Sequence, residues 1–219
     1  AQVAFLLVLT LGAALFARQI IRLRRGLAMA RPSERHDQPS ERWKVMARVA
    51  LGQGKMGGRP VAAFFHVIVY VGFVLINVEV LEILLDGITG QHRILQAPLG
   101  GLYTAAINFF EILGVLVILA CVVFLLRREF GGINRFNHSD LTGWPRQDAA
   151  IILYTEIVLM VALLVMNAAE AALPDGHAPF VVAQAIAPLF AGLSPEALHH
   201  VMEGAWWFHF VGILAFLNY

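Results

Sequence analysis

LYTAAINFFEILGVLVILACVVFLL, residues Leu102–Leu126, carries one charge, Glu111, in twenty-five residues. A helix rises about 1.5 Å per residue, so this run outreaches a hydrocarbon core of about 30 Å. Lipid offers the backbone no hydrogen-bond partner, so such a run reads as a membrane-spanning helix. Four other runs read the same way. Ala1–Ala17 has no charge before Arg18, and Val61–Val78 continues, more polar, to Leu85. Ala149–Ala169 is interrupted only by Glu156, and a last run starts near Ala205 and is still apolar at Tyr219. The expected architecture is an all-α bundle, one domain over 1–219, with helices at about 1–22, 61–85, 102–126, 149–171 and 205–219. The last run covers roughly 22 Å, so its helix is expected to continue past Tyr219. The first begins without Met or a charged leader, and no small-residue cleavage site follows it, so it reads as a span rather than a signal peptide.

Composition agrees. Of 219 residues, 59% are hydrophobic and 14% are charged, against about a quarter in soluble domains. Mean hydropathy is +0.72. This excludes a soluble enzyme, a disordered tail and a nucleic-acid binder. The lone cysteine, Cys121, excludes a disulfide framework, a Cys-ligated zinc site and an iron–sulfur cluster held by this chain alone.

The loops predict orientation. Residues 18–59 hold eleven Lys or Arg and residues 127–148 hold four, leaving Arg93 as the one basic residue elsewhere. By the positive-inside rule both basic loops, including 23–59, face the cytoplasm and the N-terminus lies outside. The basic loop is also a candidate docking surface for a cytoplasmic partner. The loop 173–204 carries Pro174, Pro179, Pro188 and Pro195 and reads as an outer lid of short helices. Ser194-Pro195-Glu196 reads as a helix start, with Ser194 as N-cap.

Two histidines fall within apolar runs, and each needs a partner or a metal there. His66 is expected about 10 Å from the cytoplasmic side and His209 about 6 Å below the outer surface. Histidines on facing helices are the usual way a bundle holds a b-type haem. Gly72 and Gly212 are candidate points of close porphyrin approach. Toward the outside, Asn77, Glu79 and Glu111 are candidates for a quinone or proton site, while Glu82 and Glu170 read as interfacial. Glu156 needs a partner the sequence does not name. Trp206 and Trp207 read as an aromatic belt.

Several strings resemble the membrane module of bacterial membrane-bound (Fe-S)-binding oxidoreductases. They are Arg42-Trp43-Lys44 with Gly52-Gln53-Gly54-Lys55-Met56, Phe65-His66, Asn77-Val78-Glu79-Val80-Leu81-Glu82, Gly143-Trp144-Pro145, Met166-Asn167-Ala168-Ala169 and Trp206 through Tyr219. Those proteins resemble electron-transfer-flavoprotein:menaquinone oxidoreductases and heterodisulfide reductase membrane subunits. More distantly the module is similar to the gamma subunit of respiratory nitrate reductase, a five-helix cytochrome b. The resemblance implies at least one haem b, with His66 and His209 as axial iron ligands between the second and fifth helices. It implies menaquinone or a related quinone as substrate. It also implies a cytoplasmic Fe–S protein or fused Fe–S domain as electron partner, an electron-transfer flavoprotein as a further candidate, and a place in the bacterial cytoplasmic membrane.

In this pattern His66 matches the inner ligand position of the second helix and His209 the outer position of the fifth. The outer position on the second helix falls at Ile76-Asn77, and the inner one on the fifth would lie beyond Tyr219. One haem is therefore the expectation, with His66 the cleaner match. The two histidines are expected to differ in depth by roughly 14 Å. The chain would be the membrane part of a quinone-linked oxidoreductase with no catalytic residue of its own. The rival reading is a haem-free anchor or small transporter whose histidines are structural.

Overall fold

The computed structural model describes residues 1–31, 37–54, 56–131, 143–174, 176 and 180–219. Arg35, Lys55, Arg135 and Pro179, used above for the charge count and the lid, lie outside the described residues. Among the described residues five helices are long and apolar enough to cross a membrane: α1 (Gln2–Ala28), α3 (Pro60–Thr89), α5 (Gly101–Glu129), α6 (Trp144–Ala171) and α8 (Pro195–Asn218). Short helices join them: α2 (Pro39–Met46), α4 (Gln96–Leu99) and α7 (Val181–Ile186). The chain is an all-α membrane bundle, as expected.

The long helices form a ring. The main packing runs α1 to α3, α3 to α5, α5 to α6, α6 to α8 and α8 back to α1. Large apolar side chains cover the outside, including Leu7, Phe64, Leu119 and Phe208, which suits lipid rather than water. Between lipid-facing helices there is little hydrophobic drive to associate, so close packing must supply it. Small residues sit at the crossings. A Cβ at Gly72 would lie 2.3 Å from Val117, at Gly87 2.3 Å from Phe5, and at Gly212 2.5 Å from Leu159. Gly72 and Gly212 therefore serve close helix contact.

Helix ends follow local chemistry. α8 starts at Pro195 under Ser194, whose Oγ accepts the Ala197 N–H at 3.2 Å, as the sequence predicted. α3 stops at Gly90, which takes a left-handed φ of 75° that favours glycine. The early start of α8 corrects one expectation. It begins at Pro195, ten residues before Ala205, and its 24 residues cover about 36 Å. At the basic end Tyr219 donates its hydroxyl to Asp148 at 2.7 Å, tying α8 to the start of α6. The lid contains the expected short helices: α7 and a 3-10 turn over Ala187–Phe190. The basic loop is not featureless; it contains α2 and a π-helical turn over Ala47–Leu51.

Candidate functional site

Four of the ring helices, α3, α5, α6 and α8, line a small, partly open cavity of about 60 Å³, walled mostly by apolar side chains. Three polar residues reach its wall: Asn77 of α3, Glu156 of α6 and His209 of α8. His209 is only 2% exposed, and its Nδ1 lies 2.8 Å from the Leu159 carbonyl oxygen. A carbonyl only accepts, so Nδ1 carries the proton and donates. That fixes the tautomer and leaves Nε2 with its lone pair, the arrangement that orients a metal-binding imidazole.

His209 lies deeper than the sequence suggested. It is about 21 Å along α8 from Pro195. Its partner Leu159 is near the middle of α6. The expected depth of about 6 Å assumed a helix starting at Ala205, ten residues too late. Glu156, the carboxyl for which the sequence named no partner, shares the cavity wall with this imidazole.

His66 sits elsewhere. It is half-buried, and its buried Nδ1 has no hydrogen-bond partner among the described residues. It shares a helix face with Phe73 and Asn77, seven and eleven residues on, both of which line the cavity. His66 itself is not part of that lining. Eleven residues correspond to about 16 Å along α3. The structure therefore places His66 nearer the basic end, and across from His209 α3 presents Asn77 and apolar groups. Asn77 donates its amide to the Phe73 carbonyl of its own helix.

The residues fit haem iron in part. Each histidine has a ring nitrogen available to a ligand, but the cavity, at about 60 Å³, is smaller than an ordinary ligand site, so a porphyrin would have to displace the apolar groups around it. A facing imidazole pair at one depth is not formed by His66 and His209.

At the opposite, lid-covered end a second polar group centres on Arg93. This residue follows α3, takes a φ of 53° and is 6% exposed. Its Nη2 lies 2.6 Å from Glu170 Oε2 and 3.0 Å from Asn167 Oδ1, and its Nη1 donates to Tyr103 at 2.9 Å. The guanidinium also stands 4.8 Å from the Phe180 ring centre. Burial alone would lower its pKa, but the Glu170 and Tyr103 bonds outweigh this and hold it above its ordinary value.

The network spreads through carboxylates. Glu82 accepts from the Tyr103 hydroxyl at 2.7 Å and the Leu95 N–H at 3.2 Å. Asp86 accepts the Arg93 and Ile94 N–H groups at 2.8 and 3.0 Å. Glu111, fully buried, accepts from Asn167 at 3.0 Å and from the Val182 and Ala183 N–H groups at 2.9 and 3.2 Å. Asn108 accepts the Val181 N–H at 2.7 Å. Two side chains of α5 thus satisfy the free N–H groups that open α7.

This arrangement corrects several readings. Glu82 and Glu170 are not interfacial groups in headgroup water; they are buried or ion-paired. Glu111 has both oxygens engaged, Oε1 by Asn167 of α6 and Oε2 by the lid. Glu79 is 6% exposed, and its Oε2 has no hydrogen-bond partner. Trp206 and Trp207 pack on Phe5 rather than forming only a belt, with Phe5 and Trp206 ring centres 5.8 Å apart. Arg93 is the residue that sequence reasoning passed over. Its signal was available: one cation among Glu79, Glu82, Asp86, Glu111 and Glu170 has to find carboxylates.

Beside the network an open pocket of about 270 Å³ lies between the start of α1, the end of α3 and α8. Asp86, His92, His199, Glu203, Trp206 and Trp207 are on its wall. His92 Nε2 lies 3.3 Å from Glu170 Oε2. No family model, curated protein or solved structure matches the chain.

Proposed function

We propose that this chain is a haem-carrying membrane module that passes electrons between a quinone and an Fe–S partner. The observation that supports it best is His209: a buried imidazole on a cavity wall, its Nδ1 proton given to Leu159 and its Nε2 spare. A hydrogen-bonded neutral imidazole that keeps one nitrogen free is the form that ligates iron. In this reading His209 holds haem iron in the cavity, and the orphaned Nδ1 side of His66 marks a second ligand position nearer the basic end. The haem supplies the one-electron chemistry; the chain supplies ligands, depth and a dry surrounding.

The positive-inside rule assigns the basic end to the cytoplasm, where a protein or fused domain bearing Fe–S centres would dock. The pocket at the lid end suits a quinone headgroup, with Trp206 and Trp207 as apolar walls and His92 and His199 as polar groups on its wall. The bacterial cytoplasmic membrane is the proposed location.

One observation favours the rival reading of a haem-free anchor or small transporter: α3 offers no imidazole across the cavity from His209. An optical spectrum decides between them. Protein purified in detergent from haem-replete cells should show a Soret band and sharpened α and β bands after dithionite. A colourless preparation would refute the cytochrome reading and leave the anchor.

A further inference from the structure

The segment between α1 and α3 has an apolar face on which none of the described residues packs. α2 runs on into the π-helical turn Ala47–Leu51, and neither contains a buried residue. Trp43 is 68% exposed, and Met46 and Leu51 are exposed as well. Trp43, Met46, Ala47 and Ala50 follow an i, i+3, i+4, i+7 spacing, which gathers them on one side of the helix. Glu41, Lys44 and Arg48 gather on the other. α2 packs chiefly on the turn that continues it, not on the membrane bundle.

The chain itself limits where this face can be. Eight residues separate Leu51 from Pro60, the first residue of a membrane helix, and even fully extended they reach only about 28 Å. They are not extended: the Gly52 N–H bonds Ala47 at 2.7 Å, the Gly54 N–H bonds Arg48 at 3.0 Å and the Met56 N–H bonds Gln53 at 2.9 Å. The charges nearby have one sign in excess. Arg22, Arg24 and Arg25 lie in the last turns of α1, Arg31 follows it, and Arg59 is the N-cap of α3. A tryptophan, a narrow apolar face, a basic opposite face and a short leash to the bilayer together describe a helix lying in the membrane interface.

We propose that residues 39–51 lie on the leaflet at the basic end of the bundle and bind anionic lipid. Trp43 and Met46 enter the boundary with the acyl chains, and Lys44, Arg48 and Arg42 contact headgroups. The Lys44–Glu41 bond at 2.8 Å and the Arg42–Asp37 contact at 3.4 Å hold two of these cations in reserve without neutralising the excess. The segment would then set the height of the bundle in the bilayer independently of the proposed cofactor.

The test uses the whole chain in lipid nanodiscs without any partner. The Trp43 emission is obtained by subtracting the spectrum of Trp43→Phe. In discs containing phosphatidylglycerol this component should be blue-shifted, quenched by brominated lipid and shielded from acrylamide. In purely zwitterionic discs, or in the Lys44→Gln/Arg48→Gln variant, it should shift red and become open to acrylamide. Equal acrylamide quenching in both kinds of disc, with no quenching by brominated lipid, would overturn the proposal and leave the face to a protein partner. Lipid quenching that ignores both anionic lipid and the two cations would overturn the headgroup part.

Discussion

The two polar regions of this bundle differ in how fully they are satisfied. Around Arg93 nearly every donor meets an acceptor: Glu170, Asn167, Tyr103, Glu82, Asp86 and Glu111 pass hydrogen bonds from the end of α3 to the lid. Around His209 the reverse holds, with a spare imidazole nitrogen, a carboxyl and an amide facing a cavity. A buried polar group costs free energy unless it is paired. A saturated network therefore repays its burial in architecture, and spare valence in a dry cavity points to a ligand. The richest cluster of charge thus reads as the structural one, and the sparse cavity as the proposed site.

Five substitutions test this contrast, the most damaging first. Arg93→Met should be the worst for folding, because it strands Glu170, Asn167 and Tyr103 together. Breaking a buried ion pair typically costs about 3–5 kcal/mol. Thermal unfolding in detergent, with soluble yield, should show a large loss. Near-native stability would mean that the network is not a structural lock.

Glu111→Leu comes next. It removes the acceptor for two N–H groups of α7 and for Asn167, at about 1–3 kcal/mol. The lid should loosen, so limited proteolysis should cut between α6 and α8 faster than in the parent. An unchanged cleavage rate would separate Glu111 from the lid.

His209→Ala should hardly change folding yet remove the haem spectrum. The structure moves the weight from His66 to His209, since only His209 has both an orienting bond and the cavity. His66→Ala should lower haem per protein less. Full haem content in His209→Ala would remove that residue from the site and, with it, the main support for a cytochrome.

Glu79→Leu is the smallest and has the opposite sign. An unpartnered carboxyl oxygen gains nothing from burial, so an apolar residue of similar size should leave unfolding unchanged or raise it by about 1 kcal/mol. A loss as large as that of Glu111→Leu would show that Glu79 belongs to the saturated network.

Much of this molecule followed from the sequence alone. Uninterrupted apolar runs in Leu102–Leu126 and its four counterparts leave the backbone no partner but itself, so helices of membrane length are forced whatever the packing. The Ser194-Pro195 start of α8 was equally local, because an N-cap is read within three residues. What the sequence misjudged was long-range. The polar turn of α8 before Ala205 looked like loop, since hydropathy cannot distinguish a helix emerging from lipid from its absence. That error placed His209 near the surface. Arg93 and Glu170 are 77 residues apart, and Glu111 meets Val182 across 71, so their pairing depended on how α3, α5, α6 and the lid came together. A charge can be counted in one dimension, but whether it is satisfied is a property of its neighbours in three.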